Sequence, residues 1–303
     1  MNALLAASLF CILGRQAAWA DSPISFEHHS DHLSIAIRGQ PFADYVFNDP
    51  EIKRPFLARV HAPGSQLVTR NHPPLADKDS TDHATMHPGI WLAFGELSGA
   101  DFWRNKGTVE HLEWIERPVV GDSGGQFAVR NRYRDKDRIL CEETCRIGIE
   151  ILDAGYLIDW DSTFTNDAEM VFGDQEEMGL GLRMATPITV KNGGEIINSA
   201  GQRGEKQVWG QPADWCDYRG TLAGEPCGLL LMPSPQNFRP AWFHARDYGL
   251  LVANPFGQQA FTGQSKSRVV VPPGEEFRLR FGVLVHSREI DPAKVYRARV
   301  ENR

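Results

Sequence analysis

Alternation of apolar and polar residues constrains the fold of this chain more than any other feature. Leu33, Ile35 and Ile37 alternate with Ser34, Ala36 and Arg38, which is typical of a strand that buries one face. The same period-2 pattern recurs in segments 127–133, 156–164 and 277–285. The sequence therefore predicts a protein built mainly from half-buried strands.

Helix signals are scarce by comparison. The clearest lies near the C-terminus, where Asp291 suits an N-cap and Pro292 the first helical position before segment 293–300. Segment 268–271 and segment 277–285 flank a Pro- and Gly-containing turn. We predict an all-β fold, a large two-sheet antiparallel β-sandwich with a short C-terminal helix, and a single domain over residues 21–303.

The first twenty residues predict export. Segment 4–13 is an apolar run, too short for the span of about 20 residues that crosses a membrane. Ala18-Trp19-Ala20 matches the small-residue pattern of a cleavage site. We therefore expect residues 1–20 to be a signal peptide cleaved after Ala20, and the mature protein to be secreted or periplasmic.

Charge and motif content limit the partners. The formal net charge is −7, without a run rich in Lys or Arg, whereas nucleic acids and anionic membranes bind clustered cations. The mature chain has no further apolar stretch that approaches a span, and it has no Walker motif and no G-x-G-x-x-G or G-x-S-x-G between a predicted strand and a predicted helix. We expect a small-molecule or oligosaccharide ligand, with no cofactor, no nucleic acid and no membrane insertion.

Four cysteines remain after the predicted cleavage. Cys216 and Cys227 bracket a polar segment that is typical of a hairpin loop, so a disulfide between them is favoured. Cys141 and Cys145 lie on one face of a predicted strand, about 13 Å apart, too far for a direct bond without a break in that strand. Neither pair has the C-x-x-C spacing of a zinc site. The pairing stays open.

Segment 80–91 interrupts the alternation and concentrates polar residues. His83 and His87 are four residues apart beside Asp82, and on a helix they could share a metal. Pro88 opposes a helix there. Acid–base or substrate-binding histidines, a metal site, and a loop with structural histidines are the alternatives.

Two further segments mix charged groups with glycine or aromatic residues. Segment 94–107 includes Trp103, and segment 173–183 includes Glu177 and Arg183. Neighbouring carboxylates raise one another's pKa when partly buried, which suits a general acid or base. Arg183 alternates with Leu182 and Met184 on a predicted strand and so points away from their side. If that side is a cleft, Arg183 would bind a carboxylate or hydroxyl group there. Surface ion pairs and a solvated turn are the simpler interpretation.

Tryptophans next to polar groups indicate a sugar site. Trp209 precedes Asp217, and Trp242 stands two residues before His244. A flat aromatic face with hydrogen-bonding groups beside it suits a sugar ring, although the same tryptophans could belong to the core.

Ordered motifs give the chain a family resemblance over roughly residues 50 to 290. They are Arg54-Pro55-Phe56, Pro63-Gly64, Val68-Thr69-Arg70, Asp82-His83, His87-Pro88-Gly89-Ile90-Trp91, Ser98-Gly99-Ala100-Asp101-Phe102-Trp103, Gly173-Asp174 with Glu177 and Arg183, Trp209-Gly210, Asp217-Tyr218, Trp242-Phe243-His244 and Asn254-Pro255-Phe256-Gly257. In these motifs the chain resembles the bacterial proteins labelled PmoA-like, whose function is not established. The resemblance implies an exported protein from bacteria that degrade polysaccharides. The label alludes to a subunit of methane monooxygenase, which is an integral membrane protein. Methane oxidation is rejected because the mature chain has no spanning segment.

The strand-rich pattern also looks like the galactose-mutarotase-type supersandwich, which aldose epimerases, some polysaccharide lyases and some glycosidases share. That likeness implies proton transfer at a sugar by histidines and carboxylates in a sheet-lined cleft. The candidate catalytic residues are His83, His87, Glu177, Asp217 and His244. The candidate substrate-binding residues are Arg70, Trp103, Arg183, Trp209, Trp242 and Asn254.

Two functions fit these observations. The first is an exported carbohydrate-active enzyme, a hydrolase, lyase or epimerase, in which His83, His87, His244 and Glu177 meet in one cleft. The second is a non-catalytic carbohydrate-binding protein of the envelope, with an exposed aromatic platform and no acid–base pair. A metal-dependent enzyme that uses His83 and His87 is a third alternative.

Overall fold

The computed structural model describes residues 22–301. The predicted signal peptide and its cleavage site after Ala20 lie outside this range. Within it, no helix is both long and apolar enough to cross a membrane.

Strands dominate the described chain. In order they are β1 (Ile24–His28), β2 (His32–Ile37), β3 (Gln40–Val46), β4 (Phe56–Ala58), β5 (His61–Ala62), β6 (Gln66–Leu67), β7 (Ile90–Phe94), β8 (Thr108–Val120), β9 (Gly124–Asp135), β10 (Arg138–Leu152), β11 (Gly155–Thr165), β12 (Met170–Phe172), β13 (Met178–Arg183), β14 (Glu195–Asn198), β15 (Cys216–Leu222), β16 (Glu225–Pro233), β17 (Trp242–Arg246), β18 (Leu250–Asn254), β19 (Val269–Val271) and β20 (Phe277–His286). The helices are α1 (Gly204–Val208), α2 (Gln258–Thr262) and α3 (Pro292–Glu301), with 3-10 turns at Thr186–Ile188 and Val190–Asn192.

Two large antiparallel sheets form the sandwich and confirm the predicted all-β class. The first sheet has the order β1-β2-β3-β4-β7-β13-β18-β17, and the second has the order β14-β15-β16-β20-β11-β10-β9-β8. Two small sheets pair β12 with β19 and β5 with β6.

Burial follows the alternation that the sequence displays. Phe127, Val129 and Tyr133 of β9 are buried in one core with inward residues of the first sheet, such as Leu182 and Leu251. Apolar burial of this kind contributes roughly 25 cal/mol per Å². The inner faces therefore form the core, which also encloses the Glu143 carboxyl group with its hydrogen-bond partners Asn131 and Ser162.

The predicted hairpin is present, but its cysteines do not pair. Strands β15 and β16 form a hairpin in which Cys216 stands opposite Leu231, and Cys227 stands opposite Gly220. The two cysteines are thus four positions out of register, about 13 Å along the strand, too far for a disulfide. Within residues 22–301 all four cysteines are free and buried, so the favoured Cys216–Cys227 bond was wrong.

The C-terminal part matches the prediction in one place and differs in another. The Lys294 backbone N–H donates to Asp291 Oδ1 (3.0 Å) at the start of α3, which confirms the predicted cap. The strands β19 and β20 flank the predicted turn but belong to different sheets, since β19 pairs with β12. Residues Val295 and Tyr296 of α3 pack on Leu230 and Leu284 and cover the outer face of the second sheet.

Candidate functional site on the outer face of the first sheet

The outer face of the first sheet collects the polar side chains that point away from the core. The register places Trp91 opposite Gly181, Gly181 opposite Val252, and Val252 opposite His244. Three strand spacings separate the ends of this row, about 14 Å. A second cluster of buried apolar residues, which includes Trp91 and Val252, forms the floor of this face. Arg183 lies on the same side, as its alternation with Leu182 predicted.

Segment 80–88 lies over one end of this face, and a buried arginine supports it. Arg70 is 1% exposed. Its Nη1 donates to the carbonyl oxygens of Ser80 (2.9 Å) and Asp82 (2.6 Å), and its Nη2 donates to that of His87 (2.8 Å). Both terminal nitrogens of Arg70 therefore donate hydrogen bonds to the backbone of segment 80–88. The predicted substrate-binding residue Arg70 is placed as a support beneath segment 80–88.

Four rings stack from the loop down to the sheet. Tyr248 stacks on His83 (5.9 Å between centroids), His83 on His87 (4.7 Å), and His87 on Trp91 (5.4 Å). Trp103 Nε1 donates to His87 Nε2 (3.2 Å). Burial, followed by the charges of His83 and of three arginines, strongly lowers the pKa of His87. His87 is therefore neutral at physiological pH, and it holds His83 in place.

Asp82 links His83 to Arg183. Its Oδ2 lies 2.9 Å from His83 Nδ1, and its Oδ1 accepts a hydrogen bond from Arg183 Nη2 (2.7 Å). Partial burial alone would raise the pKa of Asp82, but the contacts with His83 and Arg183 outweigh it and lower the pKa. An ionised Asp82 favours the proton on His83 Nδ1 and leaves Nε2 for proton exchange. His83 is 41% exposed, so Nε2 can reach a ligand.

His244 and Glu176 form the other end of the face. His244 Nδ1 lies 3.1 Å from the backbone oxygen of Glu176, and His244 Nε2 lies 3.7 Å from Glu176 Oε2. Across the described chain, His244 Nε2 finds no hydrogen-bond partner. Glu176 Oε2 also accepts from Arg246 Nη2 (3.1 Å). This end therefore offers a neutral imidazole beside an exposed carboxylate.

Acid should destabilise the protein through His244. Burial, and then the charge of Arg246, lower the pKa of His244 to about 4, below the usual 6.5. Between these values the unfolded state binds a proton that the folded state does not. The free energy of unfolding should therefore be unaffected above about pH 6.5 and fall by on the order of 3 kcal/mol as the pH drops to about 4. We expect His244→Gln to show a shallower loss in urea unfolding over this range.

The exposed His28 supplies the control for this measurement. His28→Gln should keep the wild-type pH dependence. Equal slopes for His244→Gln and the wild type would contradict the assignment.

Two tryptophans stand beside His244. Trp209 and Trp242 are partly buried and pack on Phe261, with centroid distances of 5.4 Å and 6.4 Å. The Arg246 guanidinium lies 5.7 Å from the ring of Trp209. Each tryptophan keeps some ring surface accessible, as stacking on a sugar requires. Trp103, by contrast, is fully buried beneath His87.

Glu177 and Asn254 lie at this face with their polar groups engaged. Glu177 forms an ion pair with Arg104. The Asn254 amide donates to the backbone oxygens of Gln175 (2.7 Å) and Glu176 (3.0 Å), and its oxygen accepts from the Phe256 N–H (2.7 Å). Asn254 therefore shapes the segment that carries Glu176.

Asp217 lies elsewhere. It belongs to β15 of the second sheet, is fully buried, and its Oδ1 lies 3.0 Å from His286 Nε2. Cys216 and Tyr218, its neighbours along the strand, face the core, so Asp217 points to the opposite outer surface from His83 and His244. The structure therefore does not bring Asp217 to this site.

Several residues of the site were not selected from the sequence. They are Asp82, Trp91, Glu176, Arg246 and Tyr248. Each stands within or beside a segment that was singled out, but the sequence carries no signal that Arg183 and Asp82 meet across about a hundred residues. In the described part of the chain, no group of three or more His, Cys, Asp or Glu side chains is arranged to hold a metal ion.

Fold and site define an all-β sandwich protein whose first sheet presents histidines, arginines and carboxylates on its outer face. The family profile that matches residues 32–299 is DUF6807, described as a family of unknown function. The chain belongs to this family. No curated protein matches, and none of these comparisons supports the PmoA-like resemblance.

Solved structures with a similar fold include galactose mutarotase-like proteins. One from Lactobacillus casei is 9% identical, with 87% of this chain and 100% of that chain covered and a TM-score of 0.42. One from Clostridium acetobutylicum is 10% identical, with 88% and 99% covered and a TM-score of 0.43. A galactose mutarotase related enzyme from Lactobacillus acidophilus is 8% identical, with 87% and 97% covered and a TM-score of 0.41. Similarity this distant leaves the function to be argued from the site.

Proposed function

We propose that this protein is an exported carbohydrate-active enzyme that binds a sugar across the outer face of its first sheet. The observation that carries the proposal is the Asp82–His83 contact, in which a carboxylate holds Nδ1 of a partly exposed imidazole. A carboxylate-oriented histidine with one free ring nitrogen is a general acid–base group.

A second proton-transfer group stands across the face. The Glu176 carboxylate is 38% exposed and lies beside His244. Leu250 stands opposite Arg183 on one side and Arg246 on the other, so the backbones of the two arginines that contact Asp82 and Glu176 are about 10 Å apart. A hydrolase, a lyase and an epimerase each need two such groups around one sugar. The partly buried Trp209 and Trp242 would contact the ring.

Replacement of His83 should remove turnover. We expect His83→Gln to lower kcat/KM by about 100-fold to 10,000-fold, the usual contribution of a general acid–base group. Proton NMR of purified protein with a panel of mono- and oligosaccharides detects all three reactions. Epimerisation changes the approach to anomeric equilibrium, hydrolysis creates new reducing-end signals, and elimination creates an alkene proton.

His28→Gln is the matched control, because His28 lies on β1 at the far edge of the same sheet. It should keep wild-type turnover. Sugar binding that survives in both variants, without turnover of any sugar by the wild type, would favour the non-catalytic carbohydrate-binding protein. Absence of both binding and turnover across the panel would overturn both functions.

A further inference from the structure

We infer that the sugar bound at this face carries a carboxylate, as a uronic acid does, and that Arg183 binds that carboxylate. The inference rests on the proposed function and names the substrate class of the same site. It depends on the unused donors of Arg183, on the charges around it, and on the access beside segment 80–88.

Arg183 has donors that the protein does not use. Its side chain is 1% exposed, and Nη2 donates to Asp82. No acceptor within residues 22–301 bonds Nε or Nη1 of Arg183. Buried N–H groups are nearly always paired in native proteins, and an unpaired one costs about 1–3 kcal/mol. An oxyanion is the natural acceptor, because hydrogen bonds between two charged groups are the strong ones.

The surrounding charges favour an anion. Arg183 and Arg70 share one contacting carboxylate, Asp82, at 2.7 Å and 3.9 Å. Burial, and then the charge of Arg183, lower the pKa of Arg70 to about 10, so Arg70 remains charged at neutral pH. Burial likewise lowers the pKa of Arg54, to about 9.

Other acids nearby do not remove the excess of positive charge. Asp101 interacts with Arg54, but it already forms ion pairs with Arg104 and Lys106. Asp79 acts on Arg70 through its charge, while its own oxygens accept hydrogen bonds from Asn71 and Thr186. Arg183 is thus the arginine of this group whose donors are least used.

The side chains that lie between Arg183 and solvent are partly exposed. Asp82 is 38% exposed and His83 is 41% exposed, and both lie at the surface end of the ring stack. The Tyr248 ring covers the other side of the guanidinium, 4.7 Å from its carbon. A sugar carboxylate that enters beside Asp82 would therefore be held next to His83 Nε2, the proposed acid–base group.

Binding of acidic and neutral sugars tests the inference. Isothermal titration of the full chain would compare D-glucuronate and D-galacturonate with D-glucose, D-galactose and the neutral D-glucuronamide. We expect the two uronates to bind at least about tenfold more tightly than the neutral sugars, since a charge-assisted bond exceeds a neutral one. Arg183→Met should lose this preference, and Arg183→Lys, which keeps the charge, should retain part of it. Arg278→Met, at an exposed ion pair on the second sheet, should keep it fully.

The outcomes separate the inference from the proposed function. Equal binding of uronates and neutral sugars by the wild type would overturn the inference and leave the proposed function standing. A uronate preference that persists in Arg183→Met would overturn the role of Arg183. If none of the five sugars binds, the inference falls, and the wider panel of mono- and oligosaccharides decides the proposed function. The wild-type comparison decides the substrate class even if Arg183→Met does not fold.

Discussion

Arg70→Met should lower the free energy of unfolding by about 4 kcal/mol. Arg70 is buried and donates to the carbonyl oxygens of Ser80, Asp82 and His87. Methionine fills a similar space but donates no hydrogen bond, so these three oxygens lose their partner at a site that is buried at His87 and partly buried at Ser80 and Asp82. A hydrogen bond to a charged group contributes about 1.5–3 kcal/mol, and three such bonds are lost. Urea unfolding followed by circular dichroism measures the change.

Arg278→Met serves as the control for the same substitution. Arg278 is 48% exposed and pairs with Asp161 at the surface, and exposed ion pairs contribute about 0–1 kcal/mol. We expect a loss of less than about 1 kcal/mol for Arg278→Met. Similar losses for the two variants would show that Arg70 does not support segment 80–88.

Gly89→Ala should cost about 3 kcal/mol or more, at the upper end for overpacking. A Cβ at position 89 would stand 2.1 Å from the backbone oxygen of Leu57 and 3.3 Å from Ala58 Cα. Backbone atoms cannot rotate aside, so β4 and β7 must separate where Leu57 pairs with Ile90. Because Gly89 directly follows segment 80–88, we also expect weaker sugar binding. Urea unfolding and titration measure the two effects.

Gly148→Ala gives the matched control within a strand. Its added Cβ would meet Asp159 Cβ at 3.6 Å, an ordinary van der Waals contact. We expect a change within about 0.5 kcal/mol, as for substitutions without a clash. A Gly89→Ala protein as stable as Gly148→Ala would mean that the two strands tolerate a wider separation than the structure indicates.

Much of the fold could be predicted because alternation is a local property. It identified the buried faces of β9, β11 and β20, and it placed Arg183 on the opposite side from Leu182. The cap at Asp291 was equally local. Such signals need only neighbouring residues, so the sequence displays them directly.

The site depended on information that alternation does not contain. Whether a strand joins the first or the second sheet decides which outer surface its polar residues reach, and Asp217 was assigned to the wrong surface for that reason. The hairpin around Cys216 was visible, whereas its register was not, so the disulfide was mispredicted. The contact between Asp82 and Arg183 depends on the pairing of β7 with β13. The pairing of strands that are distant in sequence is thus the information that could not be predicted.

The ring stack has a consequence for how relatives of this protein diverge. Although His83 lies on a loop, its ring is held by Tyr248 and by His87 above Trp91 of the sheet. Arg70 fixes the backbone of segment 80–88 from below. The exposed stretch 75–78 that precedes it is therefore free to change in length and composition, since long surface loops add little entropic cost. Insertions and deletions within the family should accumulate there, while the position of the imidazole is inherited unchanged.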